Sequence, residues 1–263
     1  MAKKNRSTLK RFFREGALPS EDQFADLIDS SLNMIDEGFD KSPENGFEIS
    51  LIGDHDRLIS FFRTAAAKDM VWSISYDKEQ DQLFIRKPDT EKAIPPAMTF
   101  TADGKVGVNK SDPVHALDVD GVVAAHGRIG ASTGDTNTVP ADGEWHSITS
   151  ALYGCHALEV MAGVGSKGTG RYALMNAIAV NTFNPKGWIF NFLNLKKRIR
   201  YHQSYYLARG NRIKLRWSGE GDEYYLQMKT NCDYGDGAQI RYYITRLWFD
   251  EDMSGSRLVS GEE

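Results

Sequence analysis

Gly163, Gly165 and Gly168 stand in a G-x-G-x-x-G spacing inside "EVMAGVGSKGTGRYALMNAIAV", residues 159 to 180. Such a turn can cradle a dinucleotide pyrophosphate when it ends a parallel strand and opens a helix. That chemistry also needs an acid about 20 residues further on to hold a ribose hydroxyl. No Asp or Glu occurs from Val160 to Gly219, and Lys167 precedes the third glycine, so neither a dinucleotide turn nor a phosphate loop is complete. No cofactor is expected. The segments "ALEVMAG" and "RYALMNAIAV" read instead as neighbouring strands joined by "VGSKGTG", whose glycines supply positive φ for the turn.

Other reactive residues fail on spacing. Cys155 lies beside His156, and adjacent strand residues point to opposite faces, which is poor geometry for a nucleophile and its base. Cys155 and Cys232 are the only cysteines and no C-x-x-C occurs, so two thiols are expected rather than a zinc site or a disulfide framework. The six histidines form no H-x-H, H-E-x-x-H or H-x-x-x-H pair. "GDHD", Gly53 to Asp56, reads as a cap rather than as metal ligands, and no metal is expected. No G-x-S-x-G elbow occurs, and no acid pair stands out for glycoside cleavage. The sequence is read as that of a protein without catalytic activity.

The strongest chemical signal is a mixture of aromatics and cations in "GWIFNFLNLKKRIRYHQSYYLARGNRIKLRWSG". The net charge is −4, yet residues 160 to 219 hold eleven basic side chains and no acid, leaving −15 for the rest. Exposed aromatic faces stack on sugars or bases, while Arg and Lys hold charged substituents. The candidate ligand-binding residues are Trp188, Lys196, Lys197, Arg198, Arg200, Tyr201, Tyr205, Arg209 and Arg212. Strand alternation places Tyr201 and Gln203 on one face, His202 and Ser204 on the other. Single-stranded nucleic acid would suit a basic aromatic groove. The acidic remainder of the chain favours a cell-surface glycan or lipopolysaccharide instead.

These side chains need a scaffold, and 263 residues can bury a sizeable core in one or two domains. A hydrophobic content of 41%, 24 glycines and 11% aromatics lean towards strands and turns. No apolar run approaches the roughly 20 residues of a membrane helix, so no membrane insertion is expected. The opening "MAKKNRSTLKRFFREG" lacks a signal peptide's apolar centre, which predicts synthesis in the cytoplasm. Residues 7 to 14 read as a basic strand or short helix. A helix then starts at Ser20, which forms a capping-box pattern with Gln23, and stops at Gly38. Its narrow stripe of Phe24, Leu27, Ile28 and Ile35, with Leu32 on the shoulder, lacks a following helical partner and predicts self-association.

From Phe47 onward, short alternations appear. Trp72, Ile74 and Tyr76 should form a hairpin with Leu83 and Ile85. Strands at Met98–Phe100, Lys105–Val108 and Ala116–Val119 are too short to hold a sheet in one copy. They are expected to intertwine between chains, with Val106, Val108, Leu117 and Val119 inside. After the polar stretch "HGRIGASTGDTNTVPADG", runs at 145–148, 157–161, 172–180, 198–206, 212–217, 224–228 and 239–247 predict an antiparallel β-sandwich. The fold is thus expected to be mainly β. Its parts would be a helical docking and trimerisation segment (1–46), a β-rich neck (47–130), a β-sandwich head (131–250) and a disordered tail (251–263).

"MTFTADGKVGVNKSDPVHALDVDG" resembles the repeated element of phage and phage-like tail fibres. There a strand, an Asp/Asn-Gly turn, "VGV" or "VGI", a Pro turn and "LDVxG" recur where three chains intertwine. "LKRFFREGALPSEDQFADLIDSSLN" is similar to the N-terminal helical segment of fibre-like proteins from bacteria carrying contractile injection systems. The resemblance spans about the first 125 residues. "GVNKS" at Gly107 to Ser111 departs from the usual "GIGTT" but keeps the turn at Pro113. The resemblance implies a homotrimer whose N-terminal segment docks on a baseplate or tail protein and whose head meets a cell surface after release of the particle. Two alternatives use the same residues. One is a structural cap or baseplate decoration; the other is a polysaccharide-degrading tail enzyme, which would need two facing carboxylates.

Overall fold

A computed structural model describes residues 4–31, 37–64, 67–88, 94–131, 137–182, 197–219, 223–235 and 237–256. The chain is mainly β and falls into two compact units, Met1–Ala124 and Ala125–Glu263.

The first unit opens with two helices, α1 (Arg6–Phe12) and α2 (Glu21–Asp29). The Asn5 side chain caps α1 by accepting from Thr8 N–H at 2.9 Å. At α2 the Ser20 N–H donates to Gln23 Oε1 at 3.2 Å, as the capping-box spacing predicts. This helix closes at Ser30, but Glu37 is helical again and Gly38 takes a positive φ of 63°, the stop expected there. The Ser30 and Ser31 hydroxyls donate to the carbonyls of Asp26 (2.6 Å) and Leu27 (3.0 Å), so side chains compete there for helix acceptors. Neither helix buries a residue, and Phe24, Leu27 and Ile28 stay exposed. Leu32 and Ile35 lie outside the described residues.

A hairpin of β1 (Phe39–Ser42) and β2 (Gly46–Ile49) precedes a six-stranded sheet. That sheet runs in chain order: β3 (Arg57–Phe62), β4 (Met70–Asp77), β5 (Gln82–Arg86), β6 (Met98–Phe100), β7 (Val106–Val108) and β8 (Leu117–Val119). The expected hairpin is present, with Ile74 opposite Ile85 and Tyr76 opposite Leu83. The three short strands also form where expected, but they pair within one chain, contrary to the reading that one copy cannot hold them. They add to an edge already set by the longer β4 and β5, which lowers the ordering cost of each.

Register decides what each face carries. One side aligns Ile59, Ile74, Ile85, Met98, Val108 and Val119 in a single row across all six strands. Beside it runs a row of Tyr76, Leu83, Phe100, Val106 and Leu117. None of these side chains is fully buried, and Leu117 is 64% exposed. The opposite side buries Ser73, Ser75, Phe84, Thr99 and Gly107. Thr99 donates to the Lys110 carbonyl at 2.8 Å, and a Cβ on Gly107 would stand 2.4 Å from the same oxygen. Glycine is therefore required in "VGV". Lys110 Nζ and the Val114 N–H both reach Asp118 Oδ2, at 2.8 and 2.9 Å, and strap the parallel crossover from β7 to β8.

The second unit has two antiparallel sheets. The larger orders as β13 (Lys197–Tyr205), β12 (Tyr172–Thr182), β11 (Cys155–Gly165), β16 (Gln239–Arg246) and β9 (Thr138–Pro140). The smaller orders as β10 (His146–Ser147), β15 (Tyr225–Thr230) and β14 (Ile213–Ser218). One buried cluster joins them, drawing Val160, Met175 and Ile240 from the first and Ile213, Leu226 and Met228 from the second. Strand β9 lies in the stretch read as a polar linker, where only Val139 gives an apolar signal. The tail expected to be disordered from 251 is held at its start: Cys155 N–H donates to the Glu251 carbonyl at 2.8 Å, and Arg246 pairs with the Glu251 carboxylate at 2.8 Å. Residues 257–263 lie outside those described.

Candidate functional site

The two faces of the larger sheet divide inside from outside in an unusual way. On β12 the inward residues are small or flexible, namely Ala173, Met175, Ala177 and Ala179, all buried. The bulky Tyr172, Leu174 and Ile178 point the other way and are exposed. Register puts Met161, Gly163 and Gly165 of β11 and Arg241 and Tyr243 of β16 on that same outward face. An exposed apolar patch rimmed by polar groups is the usual mark of a contact surface.

A depression of 690 Å³ sits on this face. Its floor is Met161, Gly163 and Gly165; Tyr172, Leu174, Arg241, Tyr243 and Gln239 wall it, with Ser204, Tyr205 and Tyr206 at the rim. The glycine question of the sequence thus has a divided answer. Gly168 and Gly170 adopt positive φ (87° and 65°) in the β11–β12 loop, as expected. Gly163 and Gly165 do not: they belong to β11 itself, where the Tyr172 ring lies over Gly165 and Leu174 Cδ1 stands beside Gly163. A Cβ on Gly165 would stand 2.4 Å from the Tyr172 ring.

The residues singled out from the aromatic and basic tract do not converge on one site. Opposed residues of an antiparallel pair share a face. Arg198 and Arg200 are opposite Val180 and Ile178, which puts them on the outward face, and both are exposed. Tyr201 and Tyr205 are opposite Ala177 and Ala173, hence on the other side of β13, where they remain 42% and 38% exposed because β13 is an edge strand. Arg212 joins them, its guanidinium 5.6 Å from the Tyr205 ring and its Nε donating to Gln203 Oε1 at 3.4 Å. Arg209 stands exposed in a separate 3₁₀ turn, Arg209–Asn211. Lys197 opens β13, while Trp188 and Lys196 lie outside the described residues. Sequence reading assigned Gly163 and Gly165 to turn geometry and missed Tyr172, Leu174, Arg241 and Tyr243, although alternation in "MAGVG", "RYAL" and "IRYY" carries their common orientation.

Among the described residues, no cation of the stretch 160 to 219 has a carboxylate partner. Several turn to rings and neutral acceptors instead. Arg216 lies 4.3 Å from the Trp145 ring centre and donates to Gln227 Oε1 at 2.9 Å. Arg171 donates to the Asp233 carbonyl (2.7 Å), Asn211 Oδ1 (3.3 Å) and Cys232 Sγ (3.0 Å), and so serves the fold. Beside it Tyr234 donates to the Asn211 carbonyl at 2.7 Å, and burial pushes its phenol pKa up.

The reactive residues hold no constellation. Cys155 and His156 are both buried, so the expected division onto opposite faces does not expose either of them. His156 Nε2 lies 2.8 Å from the Tyr153 carbonyl, and both thiols are free. Among the described residues no group of three His, Cys, Asp or Glu side chains is placed to hold a metal ion. None of their helices is long and apolar enough to cross a membrane.

Fold and site together define a mainly β protein with an open, cation-bearing aromatic face on its second unit. The chain matches no known protein family, and no curated protein matches it significantly.

Proposed function

We propose that the protein is a homotrimeric, fibre-like component of a phage-like or contractile injection particle. Its second unit is an antiparallel β-sandwich head that binds a cell-surface glycan or another anionic surface ligand without covalent chemistry. The N-terminal helices dock on a baseplate or tail protein and help nucleate the trimer, and the six-stranded sheet is the neck. The protein acts outside the producing cell once the particle is released.

The observation that carries this reading is the part-buried double row on the six-stranded sheet. Eleven apolar or aromatic side chains line up there, and none is fully buried in a single copy. Three copies facing inward would give that sheet the second layer every stable sheet needs. Phe24, Leu27 and Ile28 on α2 await the same partner. Support for the head comes from Arg198 and Arg200, which project from an outward face rich in apolar groups and have no carboxylate partner among the described residues.

Solution mass at micromolar concentration tests the trimer; a stable monomer would sink the reading. Adhesion of the intact protein to target cells tests the head. The double change Arg198→Glu and Arg200→Glu is expected to abolish adhesion and leave the trimer mass unchanged. Unaltered adhesion together with failed particle assembly would favour a cap or baseplate decoration instead.

A further inference from the structure

The depression over Gly163 and Gly165 has features that specify its occupant more narrowly than the wider face does. Glycine inside a strand marks a place where another molecule approaches the backbone closely. Two of them stand at alternate positions of β11: the Tyr172 ring lies over Gly165, while Gly163 leaves the strand bare between Leu174 of β12 and Tyr243 and Arg241 of β16. The volume of 690 Å³ falls within the roughly 300–1,000 Å³ usual for small-ligand sites. The bare strand and aromatic walls fit a ring with apolar edges.

Charge narrows the choice further. Arg241 is the only cation lining the depression among the described residues, it is exposed, and no carboxylate there pairs with it. A guanidinium fork matches a planar carboxylate through two parallel hydrogen bonds. A ligand bearing several phosphates would need several cations, which the lining lacks. Gln239 and Ser204 offer neutral donors and acceptors for hydroxyl groups.

We propose that this depression is a subsite for one carboxylated sugar ring, a uronic or sialic acid residue of a surface polysaccharide, with its carboxylate on Arg241 and its ring over Gly163. The inference rests on the reading of the second unit as a glycan-binding head. It differs from that reading in naming the chemistry, and in placing the specific contact on β11, β12 and β16 rather than on the basic tract.

The test is calorimetric titration of the intact protein with digalacturonate and with sialyllactose, each beside its neutral counterpart, digalactose and lactose. The acidic sugars are expected to bind about tenfold or more tightly than the neutral ones, as loss of a charged hydrogen-bonded pair implies. Arg241→Met should bring the acidic sugars down to the neutral level. Gly163→Val should abolish binding of both, with an unchanged melting temperature, because its side chain enters the floor and a Cβ there meets nothing closer than Leu174 Cδ1 at 3.4 Å. Equal affinity for acidic and neutral sugars, retained binding in Gly163→Val, or no saturable binding at millimolar sugar would each overturn the inference. If the titrations fail while cells are still bound through Arg198 and Arg200, only this subsite falls. Loss of cell adhesion in the unaltered protein removes the glycan-binding head itself.

Discussion

The two units solve the problem of an interior differently. In the second, Val160, Met175, Ile213, Leu226, Met228 and Ile240 are all buried in one cluster shared by both sheets. In the first, Phe84 is the one large hydrophobic side chain buried among the described residues, and its buried neighbours are Ser73, Ser75 and Thr99. Eleven further apolar or aromatic side chains of the first unit lie part-buried or exposed in register rows on the other side of the sheet. Burial of apolar area is the main source of folding free energy, and among the described residues the second unit carries far more of it than the first.

That contrast can be broken most decisively with truncations. Leu226→Ala in the second unit should cost about 2–5 kcal/mol, read from denaturant melts, because it opens a cavity where the wild-type residue is wholly enclosed. Leu117→Ala in the first should leave that transition unchanged and act on assembly, lowering the concentration dependence of melting that an oligomer displays. If both truncations shifted the same transition equally, the units would not be independent in this way.

A smaller effect sharpens the comparison from inside the first unit. Gly107→Ala pushes a methyl group against the Lys110 carbonyl, and backbone cannot yield as a side-chain end can. A loss of about 1–3 kcal/mol is expected, confined to the first unit's melting. The smallest effect is that of acid. The hydrogen bond from Lys110, joined by that from the Val114 amide, holds the Asp118 carboxyl below the usual carboxylate range. A group depressed on folding adds stability above its unfolded pKa of about 4 and loses it as pH falls through the lower folded value. Melts between about pH 5 and pH 2 should therefore show a decline that is smaller in Asp118→Asn, the remainder coming from other depressed carboxyls such as Glu48 and Asp103.

Strands were the most legible part of the sequence, since alternation in "VWSISY", "RYALMNAIAV" and "QIRYYITR" is a local property. Even strands of three residues could be placed, because Asp-Gly and Asp-Pro turns bracket them. Strand β9 escaped because Thr138–Pro140 holds only Val139 between a threonine and a proline that reads as a turn; only its pairing with β16 defines it. The end of α2 at Ser30 escaped because Ser30 and Ser31 still fit the helical pattern on either side of it. The candidate site was the least legible. Basic and aromatic residues crowd together along one segment, yet a strand sends neighbours to opposite faces, so proximity in sequence separated Arg200 from Tyr201. The depression draws instead on β11, β12 and β16, and the order in which those strands pair is not written in any one of them.

The alternation along β11 and β12 also separates two kinds of evolutionary freedom. The outward residues of β11 and β12 that border the depression alternate with residues committed to the interior, among them Val160, Ala162, Ala173 and Met175. Replacements at 161, 163, 172, 174, 241 or 243 can accumulate without loss of the underlying architecture.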